Sequence, residues 1–253
     1  MTAQKTVLLS TPTSATGSLW RIVQDLAPKP IKPCAAIDHY LRKGAALNDI
    51  NSNPLPDGFD MYLFNQPHVF NFDQNLDDVR FIVNFRDPRD LCCNQYHWVF
   101  EHPVAPDMQE KMEQTRTRVR EAGIDKYCLD ANIAFFYNKI MQLFEVVPRE
   151  KILVVSYAQI CLVSDELMDR LATFLGSTAT PAQIEEIKKR EFPSALQDNP
   201  GWASGKWVGA DVLPGRARIE LKRPTYLSLS QRYSKILKFM QDNDLPGLAA
   251  IYR

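Results

Sequence analysis

No segment of this 253-residue chain is apolar for long enough to cross a bilayer. The first apolar run, Val7-Leu8-Leu9, gives way at once to Ser10-Thr11-Pro12, so the core of a secretory signal is missing too. There is no net charge either: 30 Lys and Arg balance 30 Asp and Glu, so no global field draws the chain to nucleic acid or to an anionic membrane. Any anion must therefore be held locally. Cysteine is sparse, and Cys34, Cys92, Cys93, Cys128 and Cys161 show no Cys-x-x-Cys spacing. They read as reduced, buried thiols of a cytoplasmic protein, with no metal site. Repeats, low-complexity blocks and Ser/Gly linkers are absent, so one domain over residues 1–253 is expected.

The chain does carry apolar strands alternating with helical patterns. Val7-Leu8-Leu9, Met61–Phe64, Phe81–Phe85 and Ile152–Ser156 read as strands. Helices are expected over 88–100, from Asp107 onward, and over 129–147, 165–175, 181–190 and 228–243. The stretch from Pro28 to Pro56 is Pro-rich and reads as irregular. This alternation predicts an α/β fold, a doubly wound and mainly parallel sheet flanked by helices. Residues 198–224, rich in Gly, Pro and Arg, read as a long loop or lid.

Two segments concentrate the chemistry. Pro12-Thr13-Ser14-Ala15-Thr16-Gly17-Ser18-Leu19-Trp20 lies between the first strand and a helix whose Leu19, Ile22, Val23 and Leu26 share a face. Strand, loop and helix N-terminus make a cradle of backbone N–H groups suited to an anion. Arg86-Asp87-Pro88-Arg89-Asp90-Leu91-Cys92-Cys93-Asn94-Gln95-Tyr96-His97 follows another strand and enters a helix with Pro88 in its first turn. Arg86 thus stands where open α/β sheets place their ligands.

In order and composition these segments resemble the sulfotransferases that use 3′-phosphoadenosine 5′-phosphosulfate (PAPS). The resemblance also takes in Ser156-Tyr157-Ala158-Gln159-Ile160 and runs with gaps from about residue 6 to residue 212. It implies a P-loop-like sulfotransferase fold, with PAPS bound by Ala15, Thr16, Gly17, Ser18 and Leu19 around the 5′-phosphosulfate. It further implies Trp20 against the adenine, Arg86 and Asn94 on the 3′-phosphate, Tyr157 at the adenine edge and Lys206 from the late loop. Phe192 is a weaker candidate for the other face of the base. Ala15 departs from the family, which usually has a catalytic lysine or arginine there; Lys206, Arg216 and Arg218 are the cations that the late loop offers in its place.

His68 follows the Met61–Phe64 strand and stands where cytosolic members of that family place their general base. Its imidazole, with an ordinary pKa of about 6.5, can accept a proton from a hydroxyl or amine near neutral pH. Phe70, Phe72, Trp98 and Phe100 are candidates to line a pocket for a small-molecule acceptor, and core packing is the default for each. Two other classes stay open. A P-loop kinase would need Gly-x-x-x-x-Gly-Lys-Ser/Thr, whose lysine and spacing the loop lacks. A non-catalytic PAPS- or PAP-binding protein on the same scaffold would account for the alanine at position 15.

Overall fold

In the first of two units, the apolar runs of the sequence pair into a five-stranded, wholly parallel sheet. Its strands are β1 (Lys5–Ser10), β2 (Pro33–Ala35), β3 (Met61–Phe64), β4 (Val79–Phe85) and β5 (Ile152–Ser156), in the spatial order β2-β3-β1-β4-β5. The computed structural model describes residues 4–101, 104, 106–161, 165–191 and 214–243. Its two units are Met1–Phe85 with Phe135–Lys189, and Arg86–Ala134 with Arg190–Arg253.

β1 is central, with Val7 opposite Tyr62 on one side and Phe81 on the other. Val7, Leu8 and Leu9 are fully buried, as are Phe81, Ile82 and Val83. Unbroken apolar runs of this kind belong to strands covered on both faces, and each such side chain contributes roughly 1.5–3 kcal/mol.

The helices follow in chain order. α1 (Thr16–Leu26) and α2 (Ala36–Arg42) belong to the first unit, and α3 (Pro88–Glu101) and α4 (Gln109–Asp130) to the second. Next come α5 (Ala134–Val146), α6 (Tyr157–Cys161), α7 (Asp165–Leu175) and α8 (Pro181–Glu191). α9 (Arg216–Glu220), α10 (Arg223–Arg232) and α11 (Ser234–Asn243) complete the second unit. α1 buries Leu19, Ile22, Val23 and Leu26, the face read from the sequence, and packs on α7. α7 ends at Gly176, whose φ of 76° suits the left-handed position that closes a helix. Arg80 of β4 reaches the freed carbonyl of Leu175 (3.0 Å) and also donates to Thr6 Oγ1 (2.9 Å), so a cation meets the negative end of α7.

The sequence reading is corrected in three places. β2 lies inside the stretch taken as irregular. The helix expected from residue 129 begins at Ala134, because Ala131 is extended (φ −65°, ψ 133°) and closes α4. The helix expected over 228–243 is two helices that part at Tyr233, a residue 2% exposed. α4 is itself interrupted at Gly123, with φ 72° and ψ 166°. All five cysteines are free thiols, four of them buried, and burial pushes the Cys92 thiol up to about 12. Among the described residues no helix is long and apolar enough to cross a membrane.

Candidate functional site

The cradle is built by hydroxyls and one amide. Thr11 Oγ1 and Ser14 Oγ are 2.6 Å apart, and so are Ser10 Oγ and Thr16 Oγ1. Fully buried Asn84, on β4, donates from Nδ2 to Ser14 O (2.6 Å) and to Ser10 Oγ (3.0 Å), while its main-chain carbonyl accepts from Thr11 N (3.0 Å). One side chain of the neighbouring strand thus braces both ends of the loop. Thr13 and Ala15 have positive φ, 53° and 55°. Each left-handed non-glycine residue costs of order 1–2 kcal/mol, and the hydroxyl and amide contacts hold the loop in that shape.

Ala15 is the N-cap of α1, and no side chain caps the helix. Its carbonyl accepts from Leu19 N at 3.0 Å, which closes the first turn. The N–H groups of Thr16, Gly17 and Ser18 are therefore left without intrahelical partners, at the positive end of the helix dipole. Leu19 differs from expectation: its N–H is used by the helix and its side chain is fully buried in the core. The Thr16 hydroxyl is turned toward Ser10 and braces the loop. Trp20 is partly exposed, and Gly17 is exposed.

The second motif divides into ligand candidates and scaffold. Arg86, directly after β4, is 1% exposed and is the largest of the fully buried side chains. The neighbouring acidic residues build the scaffold around it. Asp87 takes a two-pronged bond from Arg89, Nε to Oδ1 at 3.0 Å and Nη2 to Oδ2 at 2.5 Å, and also accepts from Arg89 N. Arg89 continues to Ser230 Oγ (2.9 Å) and lies 4.6 Å from the Tyr226 ring centre. Asp90 accepts from the backbone N–H groups of Gly215 (2.6 Å) and Ala217 (2.8 Å), so it anchors the start of α9. Burial, and then the charge of Asp87, push the Asp90 carboxyl above its usual range, against the Arg86 charge and the two N–H bonds.

Anchoring α9 places Arg216 beside Asn94. Arg216 Nη1 lies 3.5 Å from Asn94 Oδ1, and its Nε bonds Glu220, which in turn lies 2.8 Å from His97 Nε2. Burial works against the charge on Glu220, yet the His97 and Arg216 bonds hold its carboxyl below the usual value. With Oδ1 facing Arg216, the Nδ2 of fully buried Asn94 is a donor with no partner among the described residues. Leaving a buried amide donor unmade costs about 1–3 kcal/mol, a cost that an anionic acceptor removes.

His68 sits in a one-turn helix (Pro67–Val69), edge-on to Phe135 (4.9 Å) and Phe136 (5.4 Å) in the first unit. Its Nδ1 is buried with no partner among the described residues, and burial lowers its pKa from the ordinary 6.5. Phe135 is 38% exposed, so the ring beside the imidazole is open on one side. Phe70 is a core residue, edge-on to Phe64 and Phe81; Phe72 carries the Lys139 ammonium 4.9 Å from its ring centre. Trp98 is exposed in the second unit, where Phe100 pairs with Tyr96. Tyr157, buried, opens α6 directly after β5. Lys206 and Phe192 lie outside the described residues, as does most of the stretch 198–224 that was read as a loop; in its described part Arg216–Glu220 is helix α9, so Arg216 and Arg218 stand on a helix.

One residue of the loop region escaped the sequence reading. Arg21, a turn into α1, turns its guanidinium back onto the cradle and donates from Nη2 to Ser18 Oγ at 3.4 Å. The helical spacing of three to four residues was the available signal. Among the described residues no three His, Cys, Asp or Glu side chains cluster in a way that would hold a metal ion.

Residues 65–201, more than half of the chain, match the family profile described as a sulfotransferase domain. No curated protein sequence matches the chain. Among solved structures, mouse sulfotransferase SULT7A1 complexed with PAP superposes with a TM-score of 0.66 at 11% identity, covering 99% of this chain and 88% of that one. Retinol dehydratase in complex with androsterone and the inactive cofactor PAP gives 0.56 at 14% identity, covering 97% and 83%. Its complex with retinol and PAP gives 0.53 at 13% identity, covering 97% and 84%. At such identities the likeness is one of fold.

Proposed function

The chain belongs to the sulfotransferase domain family, and from that premise we propose that it transfers the sulfuryl group of PAPS to a hydroxyl or amine of a small-molecule acceptor. The observation that carries the reading is the donor set of the Arg86-to-Asn94 segment: a buried guanidinium, and a buried amide N–H with no partner among the described residues. A 3′-phosphate can accept from both, and it is the group that distinguishes PAPS from ATP. The N–H groups of Thr16, Gly17 and Ser18 suit the 5′-phosphosulfate. Bound there, PAPS supplies an activated sulfur centre; the protein positions it, takes the acceptor proton on His68 and stabilises charge on the phosphate left behind. Trp20 offers a face to the adenine and Tyr157 an edge contact. Retinol dehydratase is solved with androsterone or retinol bound, which supports an apolar small molecule as acceptor here; nucleic acid and membrane are not among the proposed partners. Five free thiols support a cytoplasmic location.

The test is selective stabilisation. Adenosine 3′,5′-bisphosphate (PAP) is expected to raise the melting temperature far more than 5′-AMP or ADP does. Arg86→Ala should weaken PAP binding by about 1.5–3 kcal/mol, the worth of hydrogen bonds to a charged group. Equal stabilisation by 5′-AMP would sink the assignment. The alanine at position 15 favours a second reading, a PAP-binding protein without turnover. Tight PAP binding with no transfer across a broad acceptor panel would select it.

A further inference from the structure

The family's loop cation is missing at Ala15, but a cation reaches the same turn of helix from another position. We propose that Arg21 takes its place, contacting the 5′-phosphate as it departs; this rests on the sulfuryl-transfer reading above. In that reaction the acceptor oxygen or nitrogen bonds to sulfur while the bond from sulfur to the bridging oxygen breaks. The electron pair of that bond stays on the 5′-phosphate, which gains one negative charge, and the acceptor proton goes to His68.

Side chains on a helix lean toward its N-terminus, so a residue three or four positions on covers the first turn. Arg21 does so. Its Nη2 donates to Ser18 Oγ at 3.4 Å, and its Nη1 lies 3.5 Å from where a Cβ on Gly17 would sit. Gly17 is exposed and has no side chain, so the guanidinium flanks the N–H groups of Thr16, Gly17 and Ser18 without an intervening group. A cation near a helix N-terminus is disfavoured by the dipole, and an anion between the two reverses that sign. The first turn of α1 supplies no acidic side chain of its own. A planar guanidinium also matches two phosphate oxygens at once, which a point-like ammonium does not. Of the two arginines considered from sequence, Arg216 bonds Glu220 and Asn94, and Arg218 donates from Nε to Tyr226 Oη at 3.2 Å.

The test compares two nucleotides, PAP and adenosine 3′-monophosphate, which lacks the 5′-phosphate, by titration calorimetry. Arg21→Gln is expected to weaken PAP by about 10–100-fold and to leave adenosine 3′-monophosphate unchanged, with the ligand-free melting temperature preserved. Acceptor-free hydrolysis of PAPS should fall by about 10²-fold. Arg21→Lys, or Ala15→Lys added to Arg21→Gln, should restore part of both. If Arg21→Gln weakens both nucleotides equally, or neither, the assignment to Arg21 is overturned while the donor reading stands. If the unsubstituted protein binds neither nucleotide, the donor reading fails and this assignment fails with it.

Discussion

His68→Ala is expected to lower turnover by about 10²–10⁴ while PAP affinity and melting temperature stay close to those of the parent protein. The expectation rests on where the imidazole sits. Two phenylalanine rings flank it, its Nδ1 has no partner among the described residues, and burial lowers its pKa from 6.5. At neutral pH the ring is therefore uncharged and its lone pair is available to an acceptor proton. The sign of the pH dependence follows. A base works when unprotonated, so kcat/KM should hold from neutral pH down and fall only below 6.5, as pH passes through the lowered pKa. Stability moves the same way. Between 6.5 and the folded value the unfolded chain binds a proton that the native protein does not, so stability is present above that window and lost on acidification through it. A variant with intact turnover, or a rate that already falls above pH 7, would remove His68 from the mechanism.

Asp87→Ala should be the most damaging substitution for the fold itself. The carboxylate and Arg89 are 4% and 5% exposed, and two side-chain bonds join them. Removing the acid strands a guanidinium in the interior, which costs about 3–5 kcal/mol. Denaturant unfolding reads the loss, and the double substitution Asp87→Ala/Arg89→Met should be less destabilised than the single one, since the stranded charge is gone. A loss under about 1 kcal/mol would mean that the pair behaves as a solvated surface bridge. The comparison also separates roles within one short motif. PAP should still raise the melting temperature of folded Asp87→Ala, whereas it should not rescue Arg86→Ala.

Much of the sheet was legible because its strands carry unbroken apolar runs. Such runs suit parallel strands covered on both faces, and β3 and β5 were read to the residue. β2 was not, because three residues with a proline at the start carry no pattern; an edge strand tolerates a proline there, since one side has no ladder to complete. Helix existence was clear and helix limits were not. The breaks at Ala131 and Tyr233 depend on neighbours distant in sequence: Tyr233 Oη donates to Ala131 O (3.3 Å) and lies 3.7 Å from Cys92 Sγ. The candidate cradle was visible as a strand, a loop and a helix. What composition could not show was its bracing by Asn84, 70 residues from Ser14, or the division of labour in Arg86-Asp87-Pro88-Arg89-Asp90. Arginine and aspartate side by side invite the reading of a local ion pair with Arg86. In the fold Asp87 is joined to Arg89, and Asp90, which feels the Arg86 charge, also anchors the start of α9.

The strand order bears on how the chain acquires its shape during synthesis. β1 is made before both of its neighbours, β3 and β4, so its edges lack those partners until Phe64 and then Phe85 have been made. At roughly 5–20 residues per second the wait amounts to several seconds, during which Val7, Leu8 and Leu9 have no sheet to join. The same nascent segment carries the future cradle, whose brace Asn84 is one of the last residues of β4 to appear. The brace on the loop's left-handed turns is therefore missing until β4 has been made, and slowing translation between β1 and β4 should lengthen the interval in which β1 is open to chaperones or to another chain.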